Sequence, residues 1–569
     1  MNFTKNLHWI ICSLFLCSCA RQSAPTGGPK DTIPPVVVKT IPQNEAINFK
    51  GKELQLLFSE DVILNTPKEQ LIITPAIGKD YKITYRKNIV TLTFDQPLKD
   101  STTYTFNFRD AVQDITEKNP VKNLQLALST GSYIDSLSIS GTIYDLLRGK
   151  VIEDATAALH TENDTFSIFE DPTVIFTKTS KQGTFKISHL KPDKYFIYAI
   201  NDKNRNLVVN SRTEAYGFIS GYQQLTDTVG NINIGLVRLD ATPLKLTSAR
   251  PYNTYFNIRA NKNLRTFDIT ATDSSDLSFT FGENNANIRV YKTTEKDSLA
   301  IHLVAQDSLD NRIDTTLYAK YLTRQVTPEK FDVSIPTSSL LVDRGLLKAT
   351  ILFTKPIGEI DFDSIFFQVD SLNKITFTPQ DLLWDPLLRK MTIEKTFDRA
   401  LYPSDEATTI QGRPARSLST KAPKSSESRH KPNQLILGKG AFLSIENDSS
   451  KHIAQSMTPM READLSVINI EIRTTETSFL VQLLDNNYKV VQQQQNKPKV
   501  TFSDITPGDY QIRLIIDSNS NGRWDPGNYF KDEEPEKIIY YRSPDGTTSI
   551  KGVKANWEIG TDGEMFITY

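Results

Sequence analysis

At 569 residues the chain exceeds what one hydrophobic core supports, roughly 250–300 residues, so it divides into several domains. With 66 Lys+Arg against 67 Asp+Glu the net charge is −1, a near-neutral balance that predicts no basic footprint for nucleic acid and no polybasic membrane patch. Apolar residues make up 38% and include 29 Phe and 21 Tyr, enough for packed cores and too many for wholesale disorder.

The chain opens with Lys5 and an apolar run from Leu7 to Leu16. That run is too short to span a bilayer and suits the core of a signal peptide. It leads into Leu16-Cys17-Ser18-Cys19, which resembles the lipobox of bacterial lipoproteins. The resemblance implies a signal peptide over 1–18, acylation of Cys19 (a palmitate-type anchor) and a membrane partner held through that residue. The only cysteines are Cys12, Cys17 and Cys19, so a chain cut before Cys19 can form no internal disulfide. Residues 19–32 are rich in Gly, Pro and Ser and read as a flexible tether. Ala20, Arg21 and Gln22 follow the cysteine where surface-directed lipoproteins of Bacteroidota carry acids. The expected location is therefore the cell envelope, anchored in the outer membrane with the periplasmic side favoured.

Beyond residue 33 the apolar residues recur with period two: Leu54, Leu56 and Phe58; Val90, Leu92 and Phe94; Tyr104, Phe106 and Phe108; Leu124, Leu126 and Leu128. Alternation places each set on one buried face of a strand. Pro, Gly, Asn and Asp turns separate the runs, and no long helical periodicity appears. The fold class is all-β: a row of tandem β-sandwich domains.

Residues 33–131 carry Asp31 to Pro35, Pro42-x-Asn44-x-Ala46, Leu54 to Val62, Ile72 to Pro75 and Tyr104 to Phe106. These resemble the Ig-like domain named after the surface-layer protein SbsA. Ala349 to Ile357, Trp384-Asp385 and Met391 to Ile393 resemble it more distantly, giving a divergent copy over 330–464. Within that copy, 403–432 is rich in Ser, Lys, Arg and Pro and reads as a disordered loop. A second repeat is sharper. Leu190 to Asn206 aligns without a gap to Ile505 to Asn521, matching Pro192 with Pro507, Tyr195 with Tyr510, Asp202 with Asp517 and Asn206 with Asn521. The two instances, 137–240 and 465–569, resemble prealbumin-like modules of the carboxypeptidase regulatory-like and Cna-B type. Residues 243–326 read as a further β-sandwich.

Motifs for chemistry are few. There is no Gly-x-Ser-x-Gly, His-Glu-x-x-His, Walker loop or Gly-x-Gly-x-x-Gly. His160, His189, His302, His430 and His452 are scattered singly, without metal-ligand spacing. Asp517, Asn519, Asn521 and Asp525, with Gly522 at the sixth position, match the first part of an EF-hand-type Ca²⁺ loop. Asn528 stands where the bidentate Glu belongs, so any Ca²⁺ affinity would be roughly millimolar. The other reading is an Asx/Gly turn whose side chains bind their own backbone. No other cofactor is expected. Together these features resemble Ig-like envelope lipoproteins of Bacteroidota. The implied function is structural or protein-interacting and non-catalytic, with an envelope protein or polymer as partner. The alternatives are a glycan-binding accessory lipoprotein, which predicts an exposed aromatic cluster, and an enzyme with a cleft in 243–464.

Overall fold

A computed structural model describes residues 30–162, 165–293, 296–322, 326–403 and 432–569. Cys12, Cys17, Cys19 and most of the 403–432 loop lie outside the described residues. Among the described residues there are 45 strands and one α-helix, the four-residue Pro67–Gln70, so the chain is all-β as its alternation predicts. The strands form tandem sandwiches around separate cores.

The first unit packs a sheet ordered Val37–Ile41, Glu53–Phe58, Ile89–Phe94, Tyr81–Arg86 against one ordered Ile72–Thr74, Thr103–Asn107, Gln125–Ser129. Each alternating apolar set named above is buried between these sheets. Thr103 and Thr105, on the other face of their strand, are buried as well. The second unit covers them: Thr105 Oγ1 meets His189 Nδ1 at 3.1 Å, and Thr74 Oγ1 donates to the Phe176 carbonyl. The unit over Phe331–Met457 repeats the first unit's layout. Its sheet runs Val333–Leu341, Leu346–Phe353, Lys390–Thr396, Leu382–Asp385, and both units add a small ladder, Val62–Leu64 with Val112–Asp114 and Ile357–Ile360 with Phe442–Ser444. Strands Lys390–Thr396 and Gln434–Leu437, on either side of 404–431, contribute to one core.

The duplicated units share a topology. Strand Leu137–Asp145 pairs antiparallel with Thr184–Leu190 and parallel with Val229–Leu236. In the second copy Ser466–Arg473 pairs antiparallel with Lys499–Ile505 and parallel with Glu558–Ile559 and Phe566–Thr568. The opposing sheets are ordered Ile175–Lys178, Thr156–Thr161, Asp193–Ile200, Tyr216–Phe218 and Val490–Gln495, Phe479–Asp485, Gly508–Ile516, Ile538–Tyr540. Between the copies lies the third unit, in which Leu246–Tyr252 to Arg312–Lys320 form a four-stranded and a three-stranded sheet around Phe256, Ile258, Ile301 and Leu303.

The row folds back on itself. The last unit returns to the second. Leu146 and Val237 pack with Leu480, Leu484, Ile515, Ile538 and Tyr540 into one buried cluster. Arg513 Nη1 and the Tyr540 hydroxyl both donate to the Leu147 carbonyl. This seam explains a loss of alternation. Phe479 to Leu484 are all buried because the sandwich core takes Val481 and Leu483 while the second unit takes Leu480 and Leu484. In the first copy Tyr195 to Ile200 are buried in the same way, with Phe196, Tyr198 and Ile200 beneath Phe166, Ile168 and Phe169.

Candidate functional site

The loop with ligand-like spacing follows strand Gly508–Ile516, and its twin follows Asp193–Ile200. Asp517, 3% exposed, accepts from the backbone N–H groups of Asn521 and Gly522. Asn519 Oδ1 accepts from Asn521 N–H, and Asn521 Oδ1 from Arg523 N–H. The first copy repeats each bond 315 positions earlier. Asp202 accepts from Asn206 and Leu207, Asn204 from Asn206, and Asn206 from Val208. Leu207 adopts φ 62°, where Gly522 adopts φ 78°, so the leucine holds the left-handed conformation the turn needs.

A buried glutamate closes each loop. Glu536 Oε1 accepts from Ser518 N–H and Oε2 from Asp525 N–H. Glu214 does the same for Lys203 and Asn210. Desolvation pushes the Glu536 carboxyl up from its ordinary value, with Asp525 and Asp517 adding to the rise. Sequence reading missed both glutamates. Aligning past the loop exposes them: the cap lies four residues beyond Asn210 but eleven beyond Asp525, so the second copy carries seven extra residues.

The Asx-turn reading accounts for the backbone N–H groups of Asn521, Gly522 and Arg523 and of their counterparts Asn206, Leu207 and Val208. Asn519 and Asn521 both donate their Nδ2 to Asp525 Oδ2. A bound cation would require both amides to turn their carbonyl oxygens inward. Among the described residues no three His, Cys, Asp or Glu side chains are grouped to hold a metal ion.

The extra residues of the second copy do something else. Tyr529 stacks edge-on against Phe169, Phe196 and Phe218 of the second unit. Asp532 Oδ1 accepts from Gly221 N–H at 3.0 Å and Glu534 Oε1 from Ser220 N–H at 2.8 Å. Asn528 Nδ2 donates to the Leu309 carbonyl of the third unit at 2.9 Å. The insertion is a latch fastening the fifth unit to the second and third.

The described histidines stay apart. The ring centre of His160 lies 4.1 Å from that of Phe166 and 5.2 Å from that of Phe196, in an aromatic cluster where Phe196 and Tyr198 are buried and Tyr222 is exposed; His302 Nε2 pairs with Asp314 at 2.7 Å. A cleft of about 560 Å³ opens between the first and second units, lined by Asp80, Lys99, Thr103, Asp135, His189 and Lys191 among others. Two of its polar groups are engaged: Thr103 Oγ1 donates to Asp135 at 2.7 Å, and Lys191 Nζ to the Ser101 carbonyl at 2.7 Å. In the fourth unit Lys355, 1% exposed, donates to Glu446 at 2.6 Å and Asp448 at 2.5 Å.

Residues 31–130 match the family model described as a bacterial Ig-like domain. That span is the first sandwich and includes the motifs Leu54 to Val62 and Tyr104 to Phe106. No curated protein matches the chain. Among solved structures the chain is similar to the Bacillus anthracis TIE protein, at 9% identity over 99% of this chain and 78% of that one, with a TM-score of 0.12. The major pilin subunit BcpA of Bacillus cereus is 12% identical over 76% of this chain and 97% of that one, with a TM-score of 0.14. An L,D-transpeptidase from Mycobacterium smegmatis is 12% identical over 36% of this chain and 90% of that one, also at 0.14. Likeness at these scores carries no argument about activity.

Proposed function

We propose that this chain is a non-catalytic, lipid-anchored protein of the bacterial cell envelope, a folded-back scaffold of sandwiches that holds another envelope protein or polymer. The observation that carries the reading is the seam between the second and fifth units. An apolar cluster and a seven-residue latch join modules more than 300 residues apart, which a simple spacer would not need. The anchor is Cys19, supported by the Leu7 to Leu16 run and the residues that precede it. No helix among the described residues is long and apolar enough to cross a membrane. The outer membrane, with the sandwiches facing the periplasm, is the proposed place.

The test compares native protein with a Cys19→Ala variant by intact mass and membrane fractionation. Acyl mass on Cys19 and release of the variant from membranes are expected, and crosslinking from those membranes then identifies the partner. An unmodified, soluble native protein overturns the reading.

A further inference from the structure

The first unit has one sheet face that nothing in the described structure covers. The second unit sits against the sheet containing Ile72–Thr74 and Thr103–Asn107, through Thr74, Thr105 and His189. The outer face of the other sheet is therefore on the far side from the rest of the chain. Cross-strand partners form a row across it, Lys39 opposite Leu57, Leu57 opposite Ile89 and Ile89 opposite Arg86. The register slips between Val37 and Lys39, and Val38 at the slip is 63% exposed. Val36 at 62% and Ile41 at 52% extend the apolar strip along the edge strand. Lys39, Lys82 and Arg86 are exposed cations on this face, against one exposed acid, Glu53. At the entry end Lys30 pairs with Glu117 at 3.7 Å.

We infer that this face rests on the surface of an anionic bilayer, the apolar strip entering the headgroup boundary and the cations meeting lipid phosphates. The inference rests on the lipid-anchor reading. Lys30 lies eleven positions beyond Cys19, a span of at most about 40 Å when fully extended. A tether that short holds the edge strand at high effective concentration over the membrane, so a weak surface suffices. Exposed apolar side chains on the same face as Lys39 of the edge strand and Lys82 and Arg86 of the far strand give that face the apolar and basic character an interface-lying surface uses, and phosphatidylglycerol-type headgroups supply the complementary charge.

The test uses the full mature chain with an N-terminal His-tag replacing Cys19, captured on vesicles of phosphatidylethanolamine, phosphatidylglycerol and a nickel-chelating lipid. No cysteine follows residue 19, so single cysteines at Val38, Ile41 or, as a control, Leu372 of the fourth unit can carry an environment-sensitive dye. A blue shift and quenching by brominated lipid are expected at positions 38 and 41 and not at 372. Lys39→Glu with Arg86→Glu should remove the shift while the tag keeps the protein bound. Captured protein showing no shift at 38 overturns the inference, as does a dye at 38 that responds to protein concentration without lipid, which would assign the face to a second copy. The tag stands in for the acyl group, so either result leaves the Cys19 question to the mass measurement above.

Discussion

Asp517 serves the backbone of its own loop. Its buried carboxylate takes two backbone N–H groups, and Asn519 and Asn521 each take one more. Asp517→Ala would strand those donors and should lower stability by about 1–3 kcal/mol, read by chemical denaturation. Gly522→Ala should cost about 1–2 kcal/mol, because alanine is strained at φ 78°. Calcium at about 1 mM is expected to leave the melting temperature unchanged, whereas a rise would mean that the loop takes the cation. His160 and His189 give the fold an acid limit. Desolvation holds both below the ordinary value of 6.5, opposed by the Thr161 carbonyl at His160 and by Glu45 and Asp135 at His189. The unfolded chain then binds more protons than the folded one as pH falls below 6.5, so stability present above that value is lost on the acid side. Thermal melts of His189→Gln between pH 7 and 5 should show a shallower loss than the parent chain.

At the scale of strands, the sequence was most readable where one face is buried and the other wet. Leu54, Leu56 and Phe58, with Val90, Leu92 and Phe94, fill the first core as their alternation predicts. Alternation disappears in Phe479–Asp485 and Asp193–Ile200, because their second faces are covered by parts of the chain that period-two reading cannot see. The Asp/Asn loop was visible as a motif, but its glutamate cap and the latch were not, since both lie beyond the point where the gapless alignment ends. Edge protection was also hidden in composition. Gln492 and Gln494 in strand Val490–Gln495 donate to the Ser503 and Thr501 carbonyls of the facing edge strand Lys499–Ile505, closing the side of the sandwich. Polar capping of this kind keeps an exposed edge from pairing with another chain. Shortening the second copy's loop by its seven extra residues should leave the fifth unit folded and held by the apolar cluster alone, seen as raised protease sensitivity between the units.

For the whole molecule, the seam turns a covalent row into a closed arrangement. The fifth unit contacts the second through Leu480, Leu484 and Ile515, and reaches the third through Asn528. The third and fourth are joined by Arg389, which donates to Thr280 Oγ1 at 2.8 Å and to the Gly282 carbonyl at 3.1 Å. Modules coupled in this way should unfold together. Ile515→Asp would bury an unpaired charge in the seam, at a cost of several kcal/mol, and should split one calorimetric transition into at least two.

The return of the fifth unit onto the second is tested most directly by a disulfide. Ser220 Oγ donates to the Asp532 carbonyl at 3.0 Å although the residues are 312 positions apart. In a Cys19→Ala background, Ser220→Cys with Asp532→Cys should crosslink under mild oxidation, closing a large loop and giving a reductant-sensitive shift in gel mobility. Failure of this pair to crosslink, while a cysteine pair within one sandwich does, would contradict the folded-back arrangement.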